Sequence, residues 1–187
     1  MTTASPAPVV RTVADQTKGF GVWRGFLAAA HRTGLQPFTV ALDVSDVPAP
    51  AEVAERMGVP DGATVLRRIR LQGHIDADGG EIPYLLSTAW IDAAVADQVP
   101  ALRRPPGVFV GVRTELELAG FQLRYKETIT ARHPLDGDDS ELNLLDLGAV
   151  APVLEMWRVC ADQYGTVVDV TRVVANPAYV TVEFVYP

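Results

Sequence analysis

The stretch PAPAEVAERMGVPDGATVLRRIR, residues 48–70, decides the fold. Its prolines introduce a short helix, predicted over residues 51–57, and Gly58 ends that helix because glycine readily takes the left-handed conformation that closes a helix. A turn follows at residues 59–62, and the apolar, arginine-rich run 65–72 predicts a strand. A helix, a tight turn and a strand in so short a span indicate an α+β domain.

The same order of elements returns in the second half of the chain, at an offset of 88 residues. In both halves a strand, a short helix and a tight turn precede a strand with an arginine near its end, and a hairpin and another strand follow. The identities that carry the repeat place Ala63, Val65, Leu66 and Arg70 on Ala151, Val153, Leu154 and Arg158. Two such units predict one sheet with helices segregated against it.

The remaining segments complete the predicted order of elements. Residues 1–18 are rich in Thr, Ala and Pro without a sustained period, so we expect a flexible arm followed by one folded domain over residues 19–187. Residues 74–80 predict a hairpin loop, in preference to a calcium loop whose glycine and distal glutamate would be misplaced. Further strands are predicted over residues 38–44, 82–90, 123–131, 153–162, 167–175 and 179–186, and further helices over residues 19–33, 91–99, 108–119 and 139–147.

Composition excludes several classes of protein. The 187 residues are 48% hydrophobic, which suits one domain with a sizeable core. The net charge of −7 gives nothing to the counterion release that drives nucleic-acid binding, so we expect no direct nucleic-acid binding by this chain alone. We find neither a leader peptide nor an apolar run near the roughly 18 residues that span a bilayer, and we expect a cytoplasmic protein without membrane contact.

Motifs for metal, cofactor or nucleophilic chemistry are not found in the sequence. His31, His74 and His133 lie far apart, and none has a histidine or cysteine partner at a ligand spacing, so we expect no metal site. Phosphate loops, nucleophile elbows and dinucleotide fingerprints are absent, and we expect no cofactor and assign no catalytic residue. The single cysteine, Cys160, is interpreted as a buried core thiol, with a reactive nucleophile as the alternative.

An arginine cluster on the strand 65–72 is the most informative polar feature. Arg68 and Arg70 share one face of that strand, whereas Arg67 points to the other, because successive side chains alternate. Two arginines on one face can hold a phosphate or carboxylate through paired hydrogen bonds. The pattern by itself favours the alternative, a solvated sheet face with acidic partners opposite. Trp90 and Trp157 similarly predict either a pocket lining or core packing.

Residues 48–70 resemble the opening of a UTRA domain, the chorismate-lyase-like effector-binding domain of GntR/HutC-type transcription regulators. That family shows a short helix ending in Leu-Gly, then Pro-x-Gly-x-x-Val, then a strand carrying arginine. The sequence Gly-Glu-Ile-Pro at residues 80–83 matches its Gly-Glu-x-Pro hairpin. Residues 120–121, 141–152 and 165–171 resemble its later motifs, so the resemblance covers about residues 20–187.

The resemblance implies an α+β fold: an antiparallel β-sheet of about six strands, pseudo-duplicated, with helices packed on it. Members of the family bind a small-molecule effector between sheet and helices, and they usually dimerise through this domain, so a homodimer is expected. They also carry a winged helix-turn-helix before the sensor, and this sequence shows no counterpart of it. We therefore expect an effector-sensing domain without its own DNA-binding domain.

The resemblance also implies which residues contact the ligand. The strand arginine of the family matches Arg70, while its second arginine falls on Gln72 and its glutamate after the hairpin falls on Ser87. These two departures predict a less charged, more aromatic or apolar effector, with Arg70 holding one acidic or carbonyl group. With Trp90 added as an aromatic candidate, the predicted ligand-binding residues are Arg70, Gln72, Ser87, Trp90, Phe109, Asp169 and Tyr179.

Two other functions remain open from the sequence. The chorismate-lyase-like fold also hosts enzymes, and a stand-alone lyase, cyclase or isomerase would use Asp169, Tyr179 and Arg70. A protein-interaction module that forms mixed dimers with a related regulator is the other alternative.

Overall fold

The computed structural model describes residues 9–12, 34–104, 111–135, 141–147 and 151–183. Its strands are β1 (Val9–Thr12), β2 (Gln36–Pro48), β3 (Thr64–Ile75), β4 (Glu81–Asp92), β5 (Arg124–Arg132), β6 (Val153–Ala161), β7 (Val167–Ala175) and β8 (Val180–Glu183). Its helices are α1 (Ala51–Met57), α2 (Ala93–Gln98), α3 (Val112–Leu118) and α4 (Glu141–Leu144), with a 3₁₀ turn at Pro100–Arg103.

An antiparallel sheet of six strands, in the order β2-β3-β4-β7-β6-β5, forms the centre of the domain. The order is symmetric about the boundary between β4 and β7. Each half contributes an outer strand, a short helix and a two-stranded hairpin, so the predicted duplicated α+β fold is confirmed. β1 and β8 pair in parallel as a separate two-stranded sheet.

The two central hairpins turn in the same way. In each, an aspartate at the start of the loop (Asp76 or Asp162) accepts backbone N–H hydrogen bonds from the residues two and four positions later. The glycine three positions later has a left-handed φ of 84° or 87°, which a side chain would disfavour. The turns therefore correspond at an offset of 86 residues. This differs by two residues from the offset of 88 that matched Arg70 with Arg158 in the sequence.

Helix α1 forms as the sequence predicts. Gly58 closes it in the left-handed conformation, and its backbone N–H donates to the carbonyl groups of Ala54 and Glu55. The buried side chains of Val53 and Met57 face the sheet. Helix α1 thus covers one sheet face near the start of β3.

Alternation along the strands divides the sheet into two faces, here called the Arg70 face and the Trp90 face. On the Arg70 face, α2, the 3₁₀ turn and α3 cover one end, where Leu66, Ile91 and Leu116 pack together. A second apolar cluster, around Tyr84 and Met156, covers the other end of the same face. On the Trp90 face, the clusters are Ala49, Val53, Ala54, Met57, Val65, Trp90, Trp157 and Val170 beneath α1, and Leu145, Val153 and Val174 beside α4.

Several predicted boundaries differ from the structure. The predicted arm, residues 1–18, includes strand β1, and the last predicted strand appears as β8, which pairs with β1 instead of joining the main sheet. Helices α3 and α4 are shorter within the described residues than predicted. The predicted helix over residues 19–33 lies outside the described residues. Among the described helices, none is long and apolar enough to cross a membrane.

Candidate functional site

A band of polar side chains crosses the middle of the Arg70 face, between its two apolar clusters. The strand register aligns five residues in one cross-strand row: Arg68, Ala89, Thr171, Arg158 and Glu127. Arg68, Ala89 and Thr171 are all less than a tenth exposed. Because Ala89 is small, the long side chains on either side of it have room to meet above the sheet.

The neighbouring rows complete the band. One row contains Arg70 and Ser87, and Arg70 Nη2 donates to Ser87 Oγ at 3.4 Å. The row on the other side contains Asp169, between Ile91 and Cys160. Three adjacent strands thus bring an arginine, a hydroxyl and a carboxylate onto one surface.

Asp169 is a buried carboxylate, with 4% of its surface exposed. The Thr171 hydroxyl donates to it, lying 3.1 Å and 3.0 Å from its two oxygens. Burial raises the pKa of Asp169 to about 6, although Arg158, the Thr171 hydrogen bond, Arg70 and Arg68 all oppose the shift. The carboxylate therefore lies within reach of protonation near neutral pH.

The arginines of the band repel one another. Burial lowers the pKa of Arg70 to about 10, and the charges of Arg68 and Arg158 add to this effect while Asp169 opposes it. Burial likewise lowers the pKa of Arg68, against the attraction of Glu115 on α3 and of Asp169. Crowded, dehydrated guanidinium groups favour an additional negative charge, which an anionic ligand would supply.

At the outer edge of the band, Arg158 contacts both an acidic side chain and an aromatic ring. Arg158 Nη2 lies 2.7 Å from Glu127 Oε1. The guanidinium groups of Arg158 and of Arg113 on α3 lie 5.5 Å and 4.7 Å from the centre of the Tyr125 ring. Tyr125 thus connects α3 with the polar band.

The structure brings three of the predicted site residues together: Arg70, Ser87 and Asp169. Gln72 lies on the same face one row further along β3, where its amide donates to Thr39 Oγ1 at 3.3 Å. Tyr179 lies at the far end of that face. Its ring stacks on Tyr84 at 5.4 Å, in the apolar cluster.

Trp90 lies away from these residues, on the opposite face of the sheet. It is 7% exposed and stacks on Trp157 with ring centroids 6.0 Å apart and an interplanar angle of 14°. The Arg56 guanidinium of α1 lies 4.4 Å from the Trp157 ring. This pair packs beneath α1, so the core-packing alternative describes its contacts. Phe109 lies outside the described residues.

The sequence-based list of site residues omitted four members of the polar band: Arg68, Thr171, Arg158 and Glu127. One signal was present in the sequence, because Thr171 lies two residues after Asp169 and must share its face. The pairing of Arg158 with Thr171 could not be found in this way, because a bulge between Cys160 and Ala161 shifts the register that begins at the turn. Among the described residues, no group of three or more His, Cys, Asp or Glu side chains is placed to hold a metal ion.

Comparison with known proteins gives structural matches. No protein-family model and no curated protein matches the chain. PhnF from Mycobacterium smegmatis matches with a TM-score of 0.75 and 23% identity, over 96% of this chain and 72% of that chain. The separate effector domain of PhnF matches with a TM-score of 0.74 and 23% identity, over 96% of this chain and 99% of that chain. A GntR-family transcriptional regulator from Bacillus cereus matches with a TM-score of 0.65 and 16% identity, over 81% of this chain and 99% of that chain. These similarities establish the fold.

Proposed function

We propose that this chain, which has the fold of the effector domains of GntR-family transcription regulators, senses a small-molecule effector through its Arg70 face. The predicted resemblance to the UTRA domain is confirmed at the level of the fold. The solved relatives are described as regulators or as an effector domain, which supports a sensor over the enzyme alternative.

One observation carries the proposal: a buried polar band lies between two apolar clusters on a helix-covered sheet face. Buried arginines and a buried carboxylate cost free energy unless their charges are compensated, so such groups commonly mark a functional site. The chain places buried Arg68 and Asp169 there beside half-buried Arg70, with Ser87 and Thr171 as hydroxyl partners. An effector with complementary charge would compensate the arginines.

The surroundings of the band favour an effector with one acidic group and an apolar body. Arg70 and Arg68 supply the positive charge, and apolar clusters border them, with Met156 and Leu85 on one side and Leu66 and Ile91 on the other. Gln72 and Ser87 stand where related sensors carry charged residues, as the resemblance implies. A hydrophobic carboxylate or sulfonate meets these requirements better than a sugar phosphate does.

A calorimetric titration tests the proposal. We would titrate the chain with sugar phosphates and with aromatic carboxylates and sulfonates, and compare Arg70→Ala with Arg67→Ala. Arg67 is the matched control because it lies on the opposite face of the same strand, paired with Asp43 at 3.0 Å. We expect Arg70→Ala to weaken binding of an acidic ligand about 30-fold or more, which corresponds to a lost charge-assisted hydrogen bond of about 2 kcal/mol.

Arg67→Ala should leave the affinity within about twofold of the unsubstituted chain, since the Arg67–Asp43 pair lies on the Trp90 face, away from the proposed site. Equal losses in both variants would place the ligand elsewhere, and tight binding of sugar phosphates would contradict the proposed ligand class.

The effector would act by favouring one of two conformations of the domain, and the affinity of an associated DNA-binding element would follow. The proposal further includes that the domain belongs to a HutC-type regulator, that it forms a homodimer, and that it functions in the cytoplasm.

A further inference from the structure

We infer that an anionic effector binds to the arginines of the Arg70 face together with a proton, which the Asp169 carboxylate takes up. This inference rests on the proposed function, because it concerns the same site. It adds a specificity-determining role for Asp169 and a dependence of sensing on pH.

The first step is the position of Asp169 among positive charges. Its row in the sheet lies next to the row that contains Arg68 and Arg158, and the charges of Arg158, Arg70 and Arg68 all attract it. Arg158 is in addition hydrogen-bonded to Glu127, and Glu115 also attracts Arg68. Asp169 thus occupies the place that the charge of an incoming anion would take.

The second step is the repulsion between a bound anion and ionised Asp169, because both would be attracted by the same three arginines within one buried site. Asp169 is 4% exposed, and apolar residues or small hydroxyl groups surround it in the sheet. Two anions in one dehydrated site repel strongly, and the usual resolution is that one of them binds a proton. The pKa of Asp169, already raised to about 6 by burial, would rise further beside a bound anion.

The third step is that Asp169 is the group best placed to accept the proton. The other charged or titratable groups around it come from several elements: Arg68 and Arg70 on β3, Arg158 and Cys160 on β6, Arg113, Glu115 and Glu117 on α3, and Glu127 on β5. The pKa of the Cys160 thiol is raised to about 12 by burial, so it stays neutral throughout. Glu127 and Glu117 form ion pairs with Arg158 and Arg113.

The consequence for ligand selection is specific. A ligand with an acid alone requires Asp169 to be protonated, so its affinity rises as the pH falls. A ligand that also carries a hydroxyl or amino group can donate to ionised Asp169 and needs no proton. Asp169 therefore favours acids with a hydrogen-bond donor at neutral pH, and simple acids at mildly acidic pH.

Benzenesulfonate and sulfate are suitable probes because neither changes charge between about pH 5 and pH 8. We would measure their dissociation constants by calorimetry at about pH 5.5 and about pH 8, and count the protons taken up from the dependence of the heat on the buffer. We expect about tenfold tighter binding at the lower pH, with uptake of roughly half a proton between about pH 6 and pH 7. Asp169→Asn should bind the probes equally well at both pH values, without proton uptake.

Two further variants separate the role of Asp169 from indirect effects of removing a charge. Asp43→Asn makes the same chemical change on the Trp90 face, where Asp43 pairs with Arg67, and should keep the full pH dependence. Thr171→Val removes the hydroxyl that stabilises ionised Asp169, so it should move the midpoint of the pH dependence upward.

Binding that does not change with pH, or a pH dependence that survives in Asp169→Asn, would overturn the inference. Failure of both probes to bind at either pH would overturn it as well. The proposed function would then still be decided by the separate comparison of Arg70→Ala with Arg67→Ala on other ligands, so the two failures are distinguishable.

Discussion

The two faces of the central sheet carry similar charged residues but differ in how these residues interact. On the Trp90 face, Glu141 and Glu155 each contact both Arg132 and Arg172, at distances of 2.6 to 3.0 Å. On the Arg70 face, Asp169 is hydrogen-bonded to Thr171 and faces arginines that repel one another. On the Trp90 face two glutamates share two arginines in one network, whereas on the Arg70 face burial outweighs the attraction between Asp169 and the arginines around it.

The pKa values of Glu141 and Asp169 are shifted in opposite directions, in line with this difference. On the Trp90 face, burial would raise the pKa of Glu141, but the hydrogen bonds and charges of its arginine partners outweigh burial and lower it. On the Arg70 face, burial outweighs every opposing interaction and raises the pKa of Asp169. Ionisation therefore stabilises the Trp90 face and destabilises the Arg70 face. Such local destabilisation is typical of a site kept for function.

The largest loss of folding stability is expected from substitution of Trp90, on the face opposite to the proposed site. Trp90→Ala leaves a cavity beside Trp157 and beneath α1, and should lower the free energy of unfolding by about 3–5 kcal/mol in urea denaturation. The milder Trp90→Phe should keep the fold and bind acidic ligands with unchanged affinity. A selective loss of ligand affinity in Trp90→Phe would show that the predicted role of Trp90 in binding is right and that the division into two faces is too sharp.

A smaller loss is expected when the ion network of the Trp90 face is broken. Glu141→Gln removes the buried carboxylate that contacts both Arg132 and Arg172 and leaves Glu155 as their acidic partner in this network, so it should cost about 3 kcal/mol at neutral pH. Because the pKa of Glu141 is lowered on folding, this contribution is present above its ordinary value of 4.5 and is lost at more acidic pH. Urea denaturation at neutral and acidic pH measures both effects.

The exposed pair Glu52–Arg56 on α1 provides the control for this loss. Glu52→Gln should change the stability by less than about 0.5 kcal/mol. A cost for Glu141→Gln as small as that of Glu52→Gln would mean that the network contributes nothing beyond a surface pair.

The smallest of these three effects is expected at Asp169, where folding stability should change with pH in the direction opposite to that at Glu141. Its pKa is higher in the folded chain than in the unfolded chain, so the stability it contributes is present below about pH 4 and is lost as the pH rises through about 6. Relative to Asp169→Asn, the unsubstituted chain should therefore lose about 2 kcal/mol over that interval. Thermal unfolding of both proteins across this pH range gives the comparison, and parallel curves would contradict the pKa shift.

Much of the fold could be predicted because it is encoded locally. Gly58 and the hairpin aspartates set turns by their own backbone chemistry, and alternation placed Arg68 and Arg70 on one face. The same rule separates Ser87 from Trp90, which lie three residues apart on one strand, although the prediction grouped them as one site. Alternation was therefore sufficient to find the two faces.

Other features could not be predicted from local sequence. A bulge between Gln72 and Gly73 changes the pairing of β3 with β4, and the ring of Phe38 and the Ile82 carbonyl occupy the space where Gly73 would carry a side chain. The pairing of Arg158 with Glu127 depends on which strand lies beside β6. Such tertiary contacts depend on strand order. The internal repeat did not predict them, because the hairpin turns correspond at an offset of 86 residues and the sequence identities at an offset of 88.

A crystal structure of the chain with benzenesulfonate, at a concentration a few times its measured dissociation constant, tests the central claim most directly. We predict density for the sulfonate against the guanidinium groups of Arg70 and Arg68, with the ring over the apolar surface beside Met156. Density confined to the Trp90 face, for example beside Arg56 and Trp157, would contradict the claim.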